Sequence, residues 1–230
     1  MGDRDGVAVV IPTLNEAPRL GPLLATLRQM GFTEIIVADG GSSDETLDIV
    51  GSLPGVVCMS APRGRGNQLH AAVAISSAPY LFMLHADTVP PPDAVNLIRQ
   101  ALAKPEVAGG CFRLRFDVRS PLLDLYAWFS RFECALSTFG DQGYFMRRST
   151  LMAAGGVPEW PLLEDVELRR RLKQAGRFIK LTATVITSAR RFTARGVVLG
   201  QLRNMAVLAG YWSGIRIETL AWFYRAGTDS

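Results

Sequence analysis

Asp39, Asp87 and the adjacent pair Glu164 and Asp165 are the residues of this chain best suited to chemistry. Asp39 and Asp87 each follow an apolar run that reads as a strand, and Glu164-Asp165 opens a run at helical spacing. Side chains just past the ends of parallel strands converge on the crevice of an open sheet. Carboxylates gathered there suit three tasks: holding a nucleotide, holding a divalent cation and taking a proton.

The local contexts sharpen those roles. After the first strand, ended by Pro12, come Thr13, Leu14, Asn15 and Glu16. Thr13 and Glu16 can hydrogen-bond a base or ribose, while Asn15 or Glu16 can equally cap the next helix. Asp39 precedes Gly40-Gly41-Ser42. An ionised Asp accepts from the N–H edge of uracil or guanine, and the two glycines let a ligand approach the backbone. Asp44 falls in Ser42-Ser43-Asp44-Glu45, a capping box for the second helix, and is read as structural. The loop Arg63-Gly64-Arg65-Gly66-Asn67 joins flexible backbone to two guanidiniums, either for a diphosphate or as a solvated basic turn, with Asn67 able to cap the helix that follows. It lacks the third glycine of a dinucleotide fingerprint and the Gly-Lys-Ser of a P-loop. Asp87, in Leu84-His85-Ala86-Asp87-Thr88, can reach a hard cation bridging two phosphates. Mg²⁺ or Mn²⁺ usually takes only one or two protein carboxylates. His85 can stack on a donor, coordinate weakly or fill space. Glu164 and Asp165 complement a helix dipole, but with a nucleotide site upstream one of them is a natural general base. Glu167 and Arg171 are spaced for an i,i+4 pair on the exposed face.

These residues need a frame. Apolar runs at Val7 to Ile11, Ile35 to Ala38, Val56 to Met59 and Tyr80 to Leu84 alternate with helical patterns. The first helix carries Pro18, Leu20, Leu23, Leu24 and Leu27 before Gly31, and the fourth opens at Pro90-Pro91-Pro92 and reaches Ala103. Residues 1–105 therefore read β-α-β-α-β-α-β-α, which implies right-handed crossovers and a parallel sheet. Beyond them, Phe112, Leu114 and Phe116 alternate with Arg113, Arg115 and Asp117 as a half-exposed strand. A helical aromatic stretch spans Leu122 to Leu136. Strands are expected at Gln142 to Arg147 and Phe178 to Ile186, with a helix from Glu164 to Ala175. With 230 residues, 48% of them hydrophobic and 20% charged, one domain is expected over 1–230. Its parts are a nucleotide-binding half (1–105), an acceptor half (106–195) and a tail (196–230).

In the tail, Val198, Leu202, Met205, Leu208, Ala209 and Trp212 recur at helical spacing, and Trp222, Phe223 and Tyr224 add interfacial aromatics. Such a helix packs on its own domain, on a second copy as a homodimer face, or on a membrane surface as a peripheral anchor. No run reaches the ~18 apolar residues of a spanning helix, and the first apolar run stops too early for a signal peptide. The formal charge of +4 favours anionic ligands or a membrane face and is too weak to argue for nucleic acid. Cys58, Cys111 and Cys134 fit no zinc or disulfide pattern and read as buried thiols. The location expected is cytoplasmic, with peripheral contact on the inner face of the membrane as the alternative if the tail is an anchor.

In order and spacing, Val9-Val10-Ile11-Pro12-Thr13-Leu14-Asn15-Glu16, Val37-Ala38-Asp39-Gly40-Gly41-Ser42-Ser43-Asp44-Glu45-Thr46, His85-Ala86-Asp87 and Glu164-Asp165 resemble the family 2 glycosyltransferases. Arg63 to Gly66, Leu84 to Thr88 and Gly140-Asp141-Gln142-Gly143 resemble the small bacterial arsenosugar-biosynthesis or selenodomain-associated subgroup. The resemblance implies a GT-A fold: α/β, a Rossmann-like, mostly parallel sheet with helices on both faces, here with a C-terminal helical tail. It implies inverting, metal-dependent transfer of a single sugar from a UDP- or GDP-linked donor to the hydroxyl of a small or lipid-linked acceptor. Pro12, Thr13, Glu16, Asp39 and Gly41 would hold the nucleoside, and Arg63, Arg65 and Asp87 the diphosphate. Asp87 would bind Mg²⁺ or Mn²⁺, Asp165 or else Glu164 would be the base, and Gly140 to Gly143 would line the acceptor side. His85 replaces the first Asp of the family's Asp-x-Asp metal motif, and the Gln-x-x-Arg-Trp signature of processive synthases is missing. The alternatives are a sugar-nucleotide nucleotidyltransferase, whose glycine-rich triphosphate signature is lacking after the first strand, and a non-catalytic nucleotide-sugar-binding or membrane-associated protein.

Overall fold

A computed structural model describes residues 5–134, 137–190 and 197–226, except the side chains of 197–201 and 225–226. The first four residues, Ala135–Leu136 of the expected aromatic helix, Gly196 and the side chain of Val198 lie outside that description.

Eight strands form one sheet in the order β3-β2-β1-β4-β7-β6-β8-β5. Its first part is the expected parallel unit. β1 (Val7–Thr13), β2 (Glu34–Asp39), β3 (Val56–Ser60) and β4 (Tyr80–Met83) pair in parallel. They are joined by α1 (Ala17–Gln29), α2 (Thr46–Gly51) and α3 (Arg65–Ile75). Leu20, Leu23, Leu24 and Leu27 of α1 are buried on one face of the sheet, and Leu69, Ala72 and Val73 of α3 are buried in the second core cluster. Pro12 does not end β1, which continues to Thr13. Pairing with β4 stops at Val10, so the missing N–H of Pro12 costs no ladder bond on that side.

The second half is mixed. β5 (Thr88–Val89) is a two-residue strand too short to carry a sequence pattern. α4 (Ala94–Leu102) starts after the proline run rather than on it. β6 (Val107–Phe116) and β7 (Tyr144–Arg147) pair antiparallel, β7 also runs antiparallel to β4, and β8 (Arg177–Thr187) lies parallel to β6 and antiparallel to β5. α5 (Pro121–Phe129) ends earlier than its aromatic pattern suggested, and Gln142 lies in a 3₁₀ turn before β7. α6 (Arg148–Ala153), unmarked in the sequence, precedes α7 (Glu164–Ala175), whose bounds match the expectation.

The tail is two helices, α8 (Val197–Trp212) and α9 (Ile217–Ala226), which pack on the chain's own domain. Val207, Leu208, Leu220 and Ala221 are buried, whereas Leu202, Met205 and Trp212 of the expected stripe are exposed. Tyr211 donates to Glu167 of α7 at 3.0 Å and its ring meets Trp160. Glu167 does pair with Arg171, at 2.8 Å, but it is buried rather than exposed, because Arg170 and Tyr211 cover it as well.

Other local expectations shift. No capping box forms at α2. Instead the Asp44 carboxylate accepts the N–H groups of Thr46 (3.0 Å) and Ala17 (3.2 Å), serving the starts of both α1 and α2. Asn67 lies inside α3 and does not cap it. Of the three thiols only Cys111 is buried. Cys58 sits on the edge strand β3 and Cys134 in the loop after α5. Among the described residues no helix is long and apolar enough to cross a membrane.

Candidate active site

At the tips of β1 and β2, Thr13 stands opposite Asp39. Asp39 is buried, and its carboxylate accepts the N–H groups of Gly41 and Ser42, both at 2.8 Å, as well as the Ser42 hydroxyl. The Thr13 hydroxyl lies 3.4 Å away. This turn needs φ of +90° at Gly41, a conformation glycine adopts without steric cost. The Asn15 side chain accepts the Ser43 N–H at 2.8 Å, and Glu16 accepts Arg190 at 2.8 Å, so neither side chain caps α1. Gln68 of α3, which no motif singles out, donates to the carbonyls of Thr13 (2.7 Å) and Ala38 (2.8 Å) and so fixes both strand tips to one helix.

Arg65 is the first residue of α3, after Gly64 at φ +131°. Its guanidinium touches three residues from distant parts of the chain. Nε binds Glu164, Nη2 lies 3.2 Å from Asp165, and Nη1 is 2.8 Å from Nε2 of His85. A guanidinium has no acceptor, so Nε2 of His85 accepts and its ring proton sits on Nδ1. Burial works against the Arg65 charge, but Glu164 and Asp165 outweigh it and hold its pKa above the ordinary arginine value. Burial pushes the Glu164 carboxyl up, with Arg65 pulling it back only in part. Asp165 also accepts the Gly140 N–H at 2.7 Å and the Val166 N–H at 2.9 Å. Its side chain is 13% exposed against 6% for Glu164, so Asp165 is the more accessible of the two.

A small pocket bounded by Pro12, Arg65, His85, Gly140, Glu164 and Asp165 joins the first strand tip to the start of α7. Beside it opens a cleft of about 450 Å³ that shares Arg65, His85, Glu164 and Asp165 and adds Asp87, Asp141, Tyr126, Arg203, Asn204 and Tyr224. The Arg203 guanidinium lies 4.2 Å over the Tyr224 ring. Asp87 is partly exposed, in a turn held to the end of β8 by the Ser188 N–H on its carbonyl at 3.1 Å. Among the described residues no three or more His, Cys, Asp or Glu side chains cluster as a complete metal cage. A hard cation that keeps water and phosphate in its shell needs only one or two carboxylates, and Asp87 fits that requirement.

Pro12, Arg65, Asp87, Gly140, Asp141, Glu164 and Asp165 therefore line adjoining pockets. Thr13 and Asp39 are buried together at the strand tips beside them, Glu16 is buried at the start of α1 against Arg190, and Arg63 is exposed. Gln142 and Gly143 lie behind the site. Gln142 is buried and donates to the Ser137 carbonyl, and a Cβ on Gly143 would meet Phe82. Tyr126, Arg203, Asn204 and Tyr224 were missed. The polar pair Arg203-Asn204 breaking an apolar helix was the available signal.

The Glycosyl transferase family 2 model matches residues 8–152. Glycosyltransferase AglJ of Haloferax volcanii is 32% identical over 96 residues, 41% of this chain and 32% of AglJ. Probable glycosyltransferase YdaM of Bacillus subtilis is 26% identical over 213 residues, 79% of this chain and 50% of YdaM. The chain thus spans half or less of the length of these curated relatives. Among solved structures, S. aureus TarS 1-349 in complex with UDP superposes with a TM-score of 0.66 at 16% identity, covering 80% of this chain and 60% of that one. Glucosyl-3-phosphoglycerate synthase from Mycobacterium tuberculosis, in complex with Mn²⁺, UDP and glucosyl-3-phosphoglycerate, gives 0.55 at 18% identity, covering 78% and 70%. These likenesses carry the GT-A fold, and the family match over residues 8–152 makes this chain a family 2 glycosyltransferase.

Proposed function

We propose that the chain moves one sugar, with inversion, from a UDP- or GDP-linked donor to the hydroxyl of a small or lipid-linked acceptor. The observation that carries this reading is Asp165, a carboxylate with residual exposure that faces the same cleft as Asp87. Asp165 takes the acceptor proton through Oδ1, which among the described residues accepts only the Val166 N–H, whereas Oδ2 meets both Gly140 and Arg65. Thr13, Glu16, Asp39 and Gly41, beside Pro12, fix the nucleoside end, and exposed Arg63 approaches the diphosphate. Four carboxylates and two guanidiniums line the cleft, so a diphosphate enters only with countercharge. Asp87 would hold Mg²⁺ or Mn²⁺, which would supply that countercharge and offset the charge on the leaving group. Complexes of similar folds with UDP and with Mn²⁺ support this donor chemistry. Gly140 and Asp141, with Tyr126 and the tail residues Arg203, Asn204 and Tyr224, form the acceptor wall.

The acceptor reading extends to the surface. α5 and the tail line the cleft and also carry exposed Trp128, Phe129, Trp212, Trp222 and Phe223. Such aromatics suit peripheral contact with a lipid surface that presents the acceptor.

A thermal-shift panel of UDP-, GDP- and dTDP-sugars with Mn²⁺ tests the function. A donor at a hundred times its Kd should raise Tm by roughly 5–10 °C. Asp165→Asn should keep that shift and lose at least roughly a hundredfold in turnover. No shift with any sugar nucleotide, together with no release of nucleoside diphosphate, would remove the reading.

A further inference from the structure

Arg65 was expected on the donor diphosphate, but its three guanidinium nitrogens are turned to Glu164, Asp165 and His85. That placement is built into the backbone. A Cβ on Gly66 would stand 2.4 Å from the Pro158 carbonyl oxygen and 3.0 Å from the Trp160 N and O atoms, so the first turn of α3 lies directly against the segment leading into α7. Gly140 closes the other side, with its N–H on the same Asp165 oxygen that faces Arg65. Two adjacent carboxylates at this depth repel one another, and the guanidinium between them is the cation that both face.

Resting on the transferase reading above, we infer that Arg65 is a positioning residue for the base rather than a diphosphate ligand. It neutralises Glu164, fixes the Asp165 carboxylate against Gly140 and ties this pair to His85 at the end of β4. Nucleotide affinity then depends on the strand tips and the cation at Asp87, and Arg65 governs turnover.

The test separates affinity from rate. UDP and GDP, each with Mn²⁺, are titrated by calorimetry into the parent, Arg65→Lys, Arg65→Met, Glu164→Gln and the double variant Arg65→Met/Glu164→Gln. Nucleoside diphosphate release is measured with the sugar nucleotide selected above. Arg65→Met is expected to keep Kd within about threefold while kcat falls roughly a hundredfold, the scale of a misplaced catalytic group. Arg65→Lys keeps the charge without the fork, so it retains the fold with a smaller kcat loss. Arg65→Met leaves Glu164 buried and unpaired and can fail to fold, whereas the double variant removes both charges. On the Glu164→Gln background, loss of Arg65 is expected to cost about tenfold less in kcat than on the parent. A Kd that weakens in step with kcat in Arg65→Lys would make Arg65 a diphosphate ligand and overturn the inference, as would additive effects at the two positions. A parent that binds no nucleotide and turns over no sugar nucleotide would overturn the transferase reading itself, and this inference with it.

Discussion

Asp87 is the one carboxylate in a motif where the family has two, because His85 stands in the first position, and its Nε2 is taken by Arg65. A cation here therefore depends on the diphosphate for most of its shell, and metal and nucleotide should bind as a linked pair. In the parent, Mn²⁺ should tighten UDP or GDP binding. In Asp87→Ala the nucleotide should bind equally with and without metal, and calorimetry at matched ionic strength reads the difference directly. Equal affinity with and without metal in the parent would count against Asp87 as a ligand. The positions of Asp87 and Asp165 were legible in the sequence because strand ends and helix starts in a parallel sheet have fixed addresses. The partner of Arg65 was not. A glycine-flanked arginine is free to point at a ligand or at its own protein, and only the approach of α3 to α7 decides which.

At the scale of elements, the helical period of the tail was read correctly and its buried face was not. A 3–4 spacing defines a stripe but does not say what the stripe meets. Here α8 docks through Val207, Leu208 and Tyr211, leaving Leu202, Met205 and Trp212 outside. That docking rests on Glu167, whose carboxyl is held down at about 2. Burial opposes the charge, but hydrogen bonds from Arg170, Arg171 and Tyr211 outweigh it. A depressed carboxyl stabilises fully above its ordinary value of 4.5, and the contribution is lost as pH falls through about 2. Tyr211→Phe should then cost about 1–2 kcal/mol at neutral pH. The gap to the parent should close between pH 4.5 and about 2, as followed by denaturant melts. A gap that persists at the acid end would mean that the hydroxyl serves something other than Glu167. Gly66→Ala tests the other contact made by this region. Its Cβ would strike backbone atoms of Pro158 and Trp160, which cannot rotate aside, so a loss of roughly 1–3 kcal/mol is expected, visible as a lower Tm.

For the whole molecule, most of the large exposed apolar side chains among the described residues lie on α5, the turn after it and the two tail helices. The same elements supply Tyr126, Arg203 and Tyr224 to the cleft, so the exposed apolar side chains and the proposed acceptor wall share their scaffold. Three of the four tryptophans, Trp128, Trp212 and Trp222, are exposed there, and Arg131 sits 5.0 Å over the Trp128 ring. Aromatic side chains beside guanidiniums partition to the headgroup layer, where the ring leaves water and the charge does not. The chain's net charge of +4 adds long-range attraction to an anionic surface. The protein should therefore sediment with vesicles containing phosphatidylglycerol, less with pure phosphatidylcholine, and less again as salt shortens the Debye length. A variant carrying Trp128→Ser and Trp222→Ser should lose most of that binding, yet keep its nucleotide affinity and most of its Tm, because both side chains are exposed and neither lines the cleft. If instead the parent ignores vesicles and its sedimentation coefficient rises with protein concentration, while the double variant stays monomeric, a second copy covers this face. The acceptor would then reach the cleft from solution.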